Sequence, residues 1–233
     1  MQSIIKVNAL SKYYDVGSIR TQVFKSLSFC VNEGEFVSIV GPSGAGKTTL
    51  LNTIGLLERF QSGSLALAGH DVSKLSDTKL SAMRNRYLGF IFQDFNLLPE
   101  LDVLSNVMLP LEIAGVKTQD AKDRALYQLQ RMGLQGRVHH KPYLLSGGQQ
   151  QRVAIARALV CEPKMILADE PTGNLNSQMA FEIMQLLQEI NRQGTTILMV
   201  THDENLSNLA SRKISLSDGK IVEVQPQELA SCG

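Results

Sequence analysis

The chain has 233 residues, 43% of them hydrophobic and 19% charged, with 18 glycines. At roughly 150 residues per domain that length suits one large domain carrying a sub-domain, and the composition excludes disorder. Lys and Arg number 23 against 22 Asp and Glu, a net charge of +1 that leaves no broad basic surface for nucleic acid or an anionic membrane. Cys30, Cys161 and Cys232 are too few and too far apart for a disulfide framework, as expected in a reducing compartment. No basic segment followed by an apolar one opens the chain, and no run of about 18 apolar residues occurs. Neither a secretory leader nor a membrane span is expected.

In chain order, Ile4 to Val7 and Val23 to Phe29 read as strands separated by the turn-prone Asp15-Val16-Gly17-Ser18, an antiparallel edge layer. The apolar run Phe36 to Val40 then stops at a Gly-rich stretch, Gly41 to Gly46. After it, Leu50, Leu51, Ile54 and Leu57 recur at helical spacing. The order is buried strand, tight turn, helix. About Leu101 to Leu145 lacks β-rich runs and shows helical periodicity at Leu126, Leu129 and Met132, so a helical sub-domain spanning about 101–146 is expected. Met165 to Ala168 is a second buried strand, followed by a helix from about Ser177 to Asn191. Thr196 to Val200 is a third, ending at Thr201-His202-Asp203. Strands apolar on both faces and separated by helices indicate a parallel sheet covered on both sides. Such sheets bind ligands at their carboxyl ends, where Gly41, Asp169 and His202 fall. Ser217-Asp218-Gly219-Lys220, between two alternating apolar runs, signals a hairpin.

Gly41-Pro42-Ser43-Gly44-Ala45-Gly46-Lys47-Thr48 satisfies G-x-x-x-x-G-K-[ST], the P-loop, in which backbone amides and a helix N-terminus cradle phosphates. In that pattern Lys47 neutralises the β- and γ-phosphates and the Thr48 hydroxyl ligates Mg²⁺. Met165-Ile166-Leu167-Ala168-Asp169-Glu170 is the matching partner: a strand that delivers Asp169 to the metal, with Glu170 one residue further to polarise a water. Alone, two acids at a strand end would more often cap the next element.

Leu145-Ser146-Gly147-Gly148-Gln149, followed by Gln150 to Leu159, is a second Gly-rich helix start and so a second anion site. The pentapeptide resembles the signature motif of ABC-class ATPases, and with that resemblance the rest of the chain falls into place. It implies an α/β fold with a P-loop NTPase parallel-sheet core, an antiparallel β layer and the inserted helical sub-domain, residues 1–233 forming a single ABC ATPase domain. It implies ATP and Mg²⁺ as cofactors. It also implies a head-to-tail homodimer in which Ser146, Gly147, Gly148 and Gln149 of one subunit close over ATP held by the other. Nucleotide binding then falls to Gly41 through Thr49: Gly41, Pro42, Ser43, Gly44, Ala45, Gly46, Lys47, Thr48 and Thr49. Tyr14 takes the place of the aromatic that stacks on adenine, although sequence does not separate it from Tyr13. Thr48, Gln93 and Asp169 serve the metal, Glu170 is the general base, and Gln93 and His202 complete the catalytic set. His139 and His140 have no matched carboxylate or thiol in the sequence nearby and read as a loop pair.

Phe90-Ile91-Phe92-Gln93, Asn96-Leu97-Leu98-Pro99, Asn106-Val107 and Leu167 to Leu175 are similar to ATPase subunits of the MacB and LolD type. That branch implies a subunit on the cytoplasmic face of the bacterial inner membrane. It would be peripheral through a separate permease, would reach any periplasmic adaptor only through that permease, and would not bind nucleic acid. Part of the apolar segment with Phe95, Leu97 and Leu98, closed by Pro99, is expected to line a groove for a cytoplasmic helix of the permease, with burial in the sub-domain core as the alternative. One position departs: Gly173-Asn174-Leu175-Asn176 carries Asn where the family's D-loop has Asp, which predicts slower turnover. Two other classes stay open at this point. One is an ABC ATPase acting on DNA or ribosomes, against which the compact Gly46 to Ser146 insert argues; the other is a P-loop kinase.

Overall fold

Two β-sheets face each other across one apolar layer in the computed structural model, which describes residues 2–17 and 19–226. Cys232 lies outside the described residues. Strands β1 (Ser3–Val16) and β2 (Ile19–Asn32) pair antiparallel, and β4 (Ser62–Leu67) and β5 (His70–Asp71) complete a four-stranded sheet in the order β2-β1-β4-β5. The two runs expected in this region are parts of 14-residue strands interrupted by register shifts. At those shifts Ala9 and Ser26 take left-handed backbone angles, φ 47° and 54°, which obscures the two-residue alternation.

The second sheet has six strands, β10-β9-β3-β8-β7-β6. Strands β3 (Phe36–Val40), β6 (Leu88–Ile91), β7 (Met165–Asp169), β8 (Thr196–Thr201) and β9 (Arg212–Ser217) are parallel. β10 (Lys220–Pro226) returns antiparallel to β9 through Asp218 and Gly219, φ 46° and 67°, the pair of positive angles a type I′ hairpin needs. Alternate residues point to opposite faces. Met165, Leu167, Leu198 and Val200 join the core shared with helix α1 (Lys47–Ile54) and the antiparallel sheet. Ile166, Ala168, Ile197 and Met199 join the core shared with α3 (Val103–Ile113), α4 (Thr118–Arg131), α5 (Gly147–Leu159) and α6 (Ser177–Arg192). Burial on both faces is why these strands are apolar throughout. Helix α2 (Asp77–Tyr87), which buries only Leu80, and the short α7 (Glu204–Ser207) complete the chain.

Two expectations are corrected. Helix α1 ends at Ile54, with Gly55 as its C-cap, so Leu57 lies beyond it and is 46% exposed rather than part of its apolar face. His139 is not without a carboxylate: its Nδ1 is 3.6 Å from Asp102 Oδ2. Asp102 also caps α3, accepting the Ser105 N–H at 2.8 Å. A carboxylate 37 positions away in sequence comes close because the Val138 and His140 carbonyls accept the first N–H groups of α3. Among the described residues no group of three or more His, Cys, Asp or Glu could hold a metal.

Candidate functional site

The carboxyl ends of β3, β7 and β8 meet at one cavity of about 560 Å³. At its floor the chain leaves β3 through Gly41, where a Cβ would lie 2.1 Å from the Leu216 carbonyl oxygen, so only glycine passes. Gly46, at φ 91°, turns the chain into α1, whose first free amides face the loop they close. Lys47 is buried, and its ammonium donates to the Gly41 and Pro42 carbonyls at 2.8 and 3.0 Å. The cation is thus folded back over an anion-shaped loop lined by Ser43, Gly44, Gly46 and Thr48.

Two hydrogen bonds tie the remaining wall together. The Thr48 hydroxyl donates to Asp169 Oδ1 at 3.1 Å, joining the start of α1 to the end of β7. Burial pushes the Asp169 carboxyl above the ordinary range, with the neighbouring Glu170 adding to it and the Thr48 bond and Lys47 opposing. Next to it, Glu170 stands in left-handed backbone, φ 45°, with its N–H donating to the Val200 carbonyl at 3.0 Å. Its carboxylate comes within 2.8 Å of His202 Nδ1, and its side chain is 13% exposed against 67% for His202. A strained, half-buried acid and an exposed imidazole thus share one hydrogen bond at the cavity mouth.

Gln93, two residues past β6, lines the same cavity. Asn174, in the loop after β7, donates to the Gln93 carbonyl at 3.1 Å and to Asp94 Oδ1 at 2.8 Å. Gln93 returns a longer bond to Asn174 Oδ1, 3.4 Å. Sequence reasoning assigned no role to Asn174, nor to Val23, which lines the cavity from β2; neither residue type signals a ligand contact by itself.

The two tyrosines are separated by their neighbours. Tyr13 has the Arg20 guanidinium 4.1 Å from its ring centroid. Tyr14 faces α1 instead: its hydroxyl donates to Glu58 Oε2, and Thr49 on the first turn of α1 is within hydrogen-bonding reach.

The signature residues stand apart. Ser146 caps α5, accepting the Gln149 N–H at 3.3 Å, while Gln149 Oε1 accepts the Ser146 N–H at 3.0 Å, a reciprocal capping box. Gly147 is close-packed: a Cβ there would meet Leu175 at 3.2 Å. None of Ser146, Gly147, Gly148 or Gln149 lines the P-loop cavity, so one chain does not bring the two anion sites together. Asn176 caps α6 through Oδ1, which accepts the Met179 N–H at 2.9 Å.

Of the segment expected to line a groove in part, Phe95 lies toward Gly147 and Leu97 packs on the helical core, Leu98 is 42% exposed, and Phe95 and Asn96 take left-handed angles, φ 60° and 47°. A groove of about 430 Å³ does open nearby, lined by Phe90, Phe92, Asn96, Leu109, Pro110 and Ile113.

Residues 24–173 match the family model described as ABC transporter. The chain belongs to the ABC transporter family. It is 48% identical to a lipoprotein-releasing system ATP-binding protein LolD of Geobacter metallireducens, over 95% of this chain and 99% of that one. It is 45% identical to a macrolide export ATP-binding/permease protein MacB of Bdellovibrio bacteriovorus, over 94% of this chain but only 33% of that protein. Among solved structures, the dimeric post-hydrolysis state of the ATP-binding cassette MJ0796 bound to ADP and Pi superposes with a TM-score of 0.89 at 41% identity, covering 97% of this chain and 99% of that one. The two-sheet architecture is therefore the ABC ATPase fold, and the chain is an ATP-binding, ATP-hydrolysing subunit of an ABC transporter. No helix among the described residues is long and apolar enough to cross a membrane.

Proposed function

We propose that this ABC subunit works as a head-to-tail homodimer that closes on two ATP and drives a separate permease of the LolD and MacB kind. The observation that carries the reading is the convergence of Lys47, Thr48, Glu170, Gln93 and His202 on one cavity, with Asp169 held behind it by the Thr48 hydroxyl and Ser146 to Gln149 outside it. Half of an ATP site is complete, and a second copy supplies the other half.

The residues present suit Mg·ATP. Lys47, freed from the Gly41 and Pro42 carbonyls, reaches the β- and γ-phosphates, while the loop amides from Ser43 to Thr49 hold the chain of oxygens. Thr48, Asp169 and Gln93 offer the hard oxygen donors that suit Mg²⁺, and burial holds the Asp169 carboxyl above its ordinary value although the Thr48 bond and Lys47 oppose the shift. Held by those residues, Mg²⁺ would supply neutralisation of the phosphate charge. Glu170 accepts the proton of the attacking water. His202, hydrogen-bonded to Glu170 through Nδ1, keeps that carboxylate aimed and presents its ring to the γ-phosphate. Tyr14 stacks on the adenine, a contact worth roughly 1–3 kcal/mol.

We assign residues 101–146 as a helical sub-domain within one ABC ATPase domain spanning 1–233. The groove beside it, apolar at Phe90, Phe92 and Ile113 and bounded by the Arg157 guanidinium, is the seat of a cytoplasmic segment of the permease. The relative named as an ATP-binding/permease protein supports this, since the chain matches only a third of it. Location at the cytoplasmic face of the inner membrane, and contact with any periplasmic adaptor, follow from the permease alone.

Mixing two inactive variants tests the shared site. Lys47→Ala and Ser146→Arg should each abolish ATP hydrolysis, but a mixed dimer holds one intact pair of P-loop and signature. Random mixing of equal amounts should restore up to about a quarter of wild-type activity if the two sites act independently. No recovery in a mixture shown to contain the mixed dimer would overturn the reading.

A further inference from the structure

Tyr14, Lys12, Asn52 and Glu58 form a polar set that reaches the nucleotide cavity through Thr49, which lines it and lies within hydrogen-bonding reach of the Tyr14 hydroxyl; none of the four lines the cavity itself. The Tyr14 hydroxyl donates to Glu58 Oε2 at 2.5 Å. Lys12 Nζ is 2.9 Å from the same oxygen, and Asn52 Nδ2 donates to Glu58 Oε1 at 3.2 Å. Lys12 also donates to the Arg59 carbonyl at 2.6 Å, and its ammonium lies 4.9 Å from the Tyr14 ring centroid. Lys12 is 5% exposed, whereas Tyr14 is 41% exposed. Glu58 itself does not line the cavity.

These groups come from three parts of the chain. Lys12 and Tyr14 are on β1, Asn52 is on α1, and Glu58 and Arg59 follow α1. Helix α1 starts at the phosphate loop, so the set ties an otherwise exposed aromatic ring to the element that fixes the phosphates.

We propose that Glu58 is a positioning residue for the nucleotide base: by holding the Tyr14 hydroxyl, it orients the ring for stacking before ATP arrives. This rests on Tyr14 being the adenine-stacking residue. A free tyrosine on a strand surface must give up rotamer freedom when a base lands on it, and a tethered one has already done so. Lys12 holds one face of the ring by a cation–π contact, and the base stacks on the other. Ionisation suits the role. Burial pushes the Glu58 carboxyl up, but the hydrogen bonds from Tyr14, Lys12 and Asn52 together leave it below its ordinary value, so it stays a charged acceptor at neutral pH. The bond to Glu58, with some burial, pushes the Tyr14 hydroxyl up, so it stays a donor.

Comparing ATP with inorganic tripolyphosphate, which has no base, isolates the effect. Both are titrated into the purified protein with metal chelated so that neither is hydrolysed. Tyr14→Phe keeps the ring and removes the tether from one side; Glu58→Ala removes it from the other. Each should weaken ATP by about two- to tenfold, the cost of ordering one side chain, and leave tripolyphosphate unchanged. The double variant should be no weaker than the weaker single, because both remove the same bond. Tyr14→Ala should weaken ATP further, again with tripolyphosphate unchanged. If Tyr14→Ala selectively weakens ATP while Tyr14→Phe and Glu58→Ala do not, the positioning role is overturned and the stacking role stands. If Tyr14→Ala leaves ATP binding intact, the stacking role falls and the tether with it. Tyr14→Phe decides the matter even if Glu58→Ala fails to fold.

Discussion

Arg157, in the last turn of the helix that starts at the signature, donates through Nη2 to the Phe95 carbonyl at 2.8 Å, and through Nη1 to the Asn96 carbonyl. One side chain thereby clamps the segment after Gln93 to the signature helix. The segment requires a clamp, since Phe95 and Asn96 both occupy left-handed backbone. Burial lowers the Arg157 pKa, the sign of a guanidinium held among carbonyls with no carboxylate paired to it among the described residues.

Arg157→Lys should therefore be a severe change despite keeping the charge, because an ammonium cannot serve two carbonyls in the same fork geometry. A charge-assisted hydrogen bond is worth about 1.5–3 kcal/mol, so stability should fall by about that amount. Urea denaturation checks this through a lower midpoint at unchanged slope.

Asn176 offers a milder test. Its Oδ1 caps α6, and an aspartate would keep that acceptor while placing a negative charge at a helix N-terminus. Asn176→Asp should gain about 0.3–1 kcal/mol and Asn176→Ala should lose about 1 kcal/mol in thermal unfolding. In phosphate release assembled with the permease, Asn176→Asp should raise kcat several-fold with little change in KM, since a charged contact across the dimer is made only in the closed state.

The Asp169 carboxyl predicts a conflict between stability and function. Its folded pKa is raised, so the unfolded state gives up this proton more readily and the ionised form disfavours folding. The sign is that stability without nucleotide falls as pH rises from the unfolded to the folded value and stays reduced above it. Asp169→Asn should raise the nucleotide-free melting temperature at neutral pH and flatten its dependence at acid pH. The same variant should lose the further stabilisation that Mg²⁺ adds to ATP. Thermal scans across pH, with and without Mg·ATP, measure both effects.

Gly173 carries the position of Gln93. A Cβ there would lie 2.8 Å from Gln93 Nε2 and 3.0 Å from its Cδ, and the end of a side chain can move aside cheaply. Gly173→Ala should thus lower kcat by displacing Gln93 from the metal side of the cavity while changing stability by no more than about 0.5 kcal/mol. Steady-state hydrolysis paired with a melting curve distinguishes this from general damage.

The elements that build the phosphate floor were legible in the sequence because each carries its own local signal. Val40-Gly41 marks a buried strand breaking into a loop at a position that admits no Cβ, Met165 to Ala168 is apolar on both faces, and Asp218-Gly219 names its turn. Helix α2 was not legible, since only Leu80 of its 11 residues is buried and no apolar stripe marks it. Strands β4 and β5 were hidden because only Leu65 and Leu67 alternate within a Ser- and Gly-rich stretch. The path of the segment after Gln93 was hidden for a different reason: Phe95 and Asn96 are consecutive left-handed residues, and a left-handed phenylalanine is not signalled by its residue type. The links from Asn174 to Gln93 and from Glu58 to Tyr14 span 81 and 44 positions, and no local pattern encodes a polar contact over such separations.

The central claim, that Glu170 is the base of an ATP site completed by a second chain, has one direct measurement. Glu170→Gln keeps size and hydrogen-bonding capacity while removing the proton acceptor and the charge facing the γ-phosphate. A general base contributes about 10²- to 10⁴-fold, so turnover should drop by at least that order. On size exclusion in Mg·ATP the variant should elute as a dimer carrying two unhydrolysed ATP. A monomer that hydrolyses ATP at the wild-type rate would contradict the account.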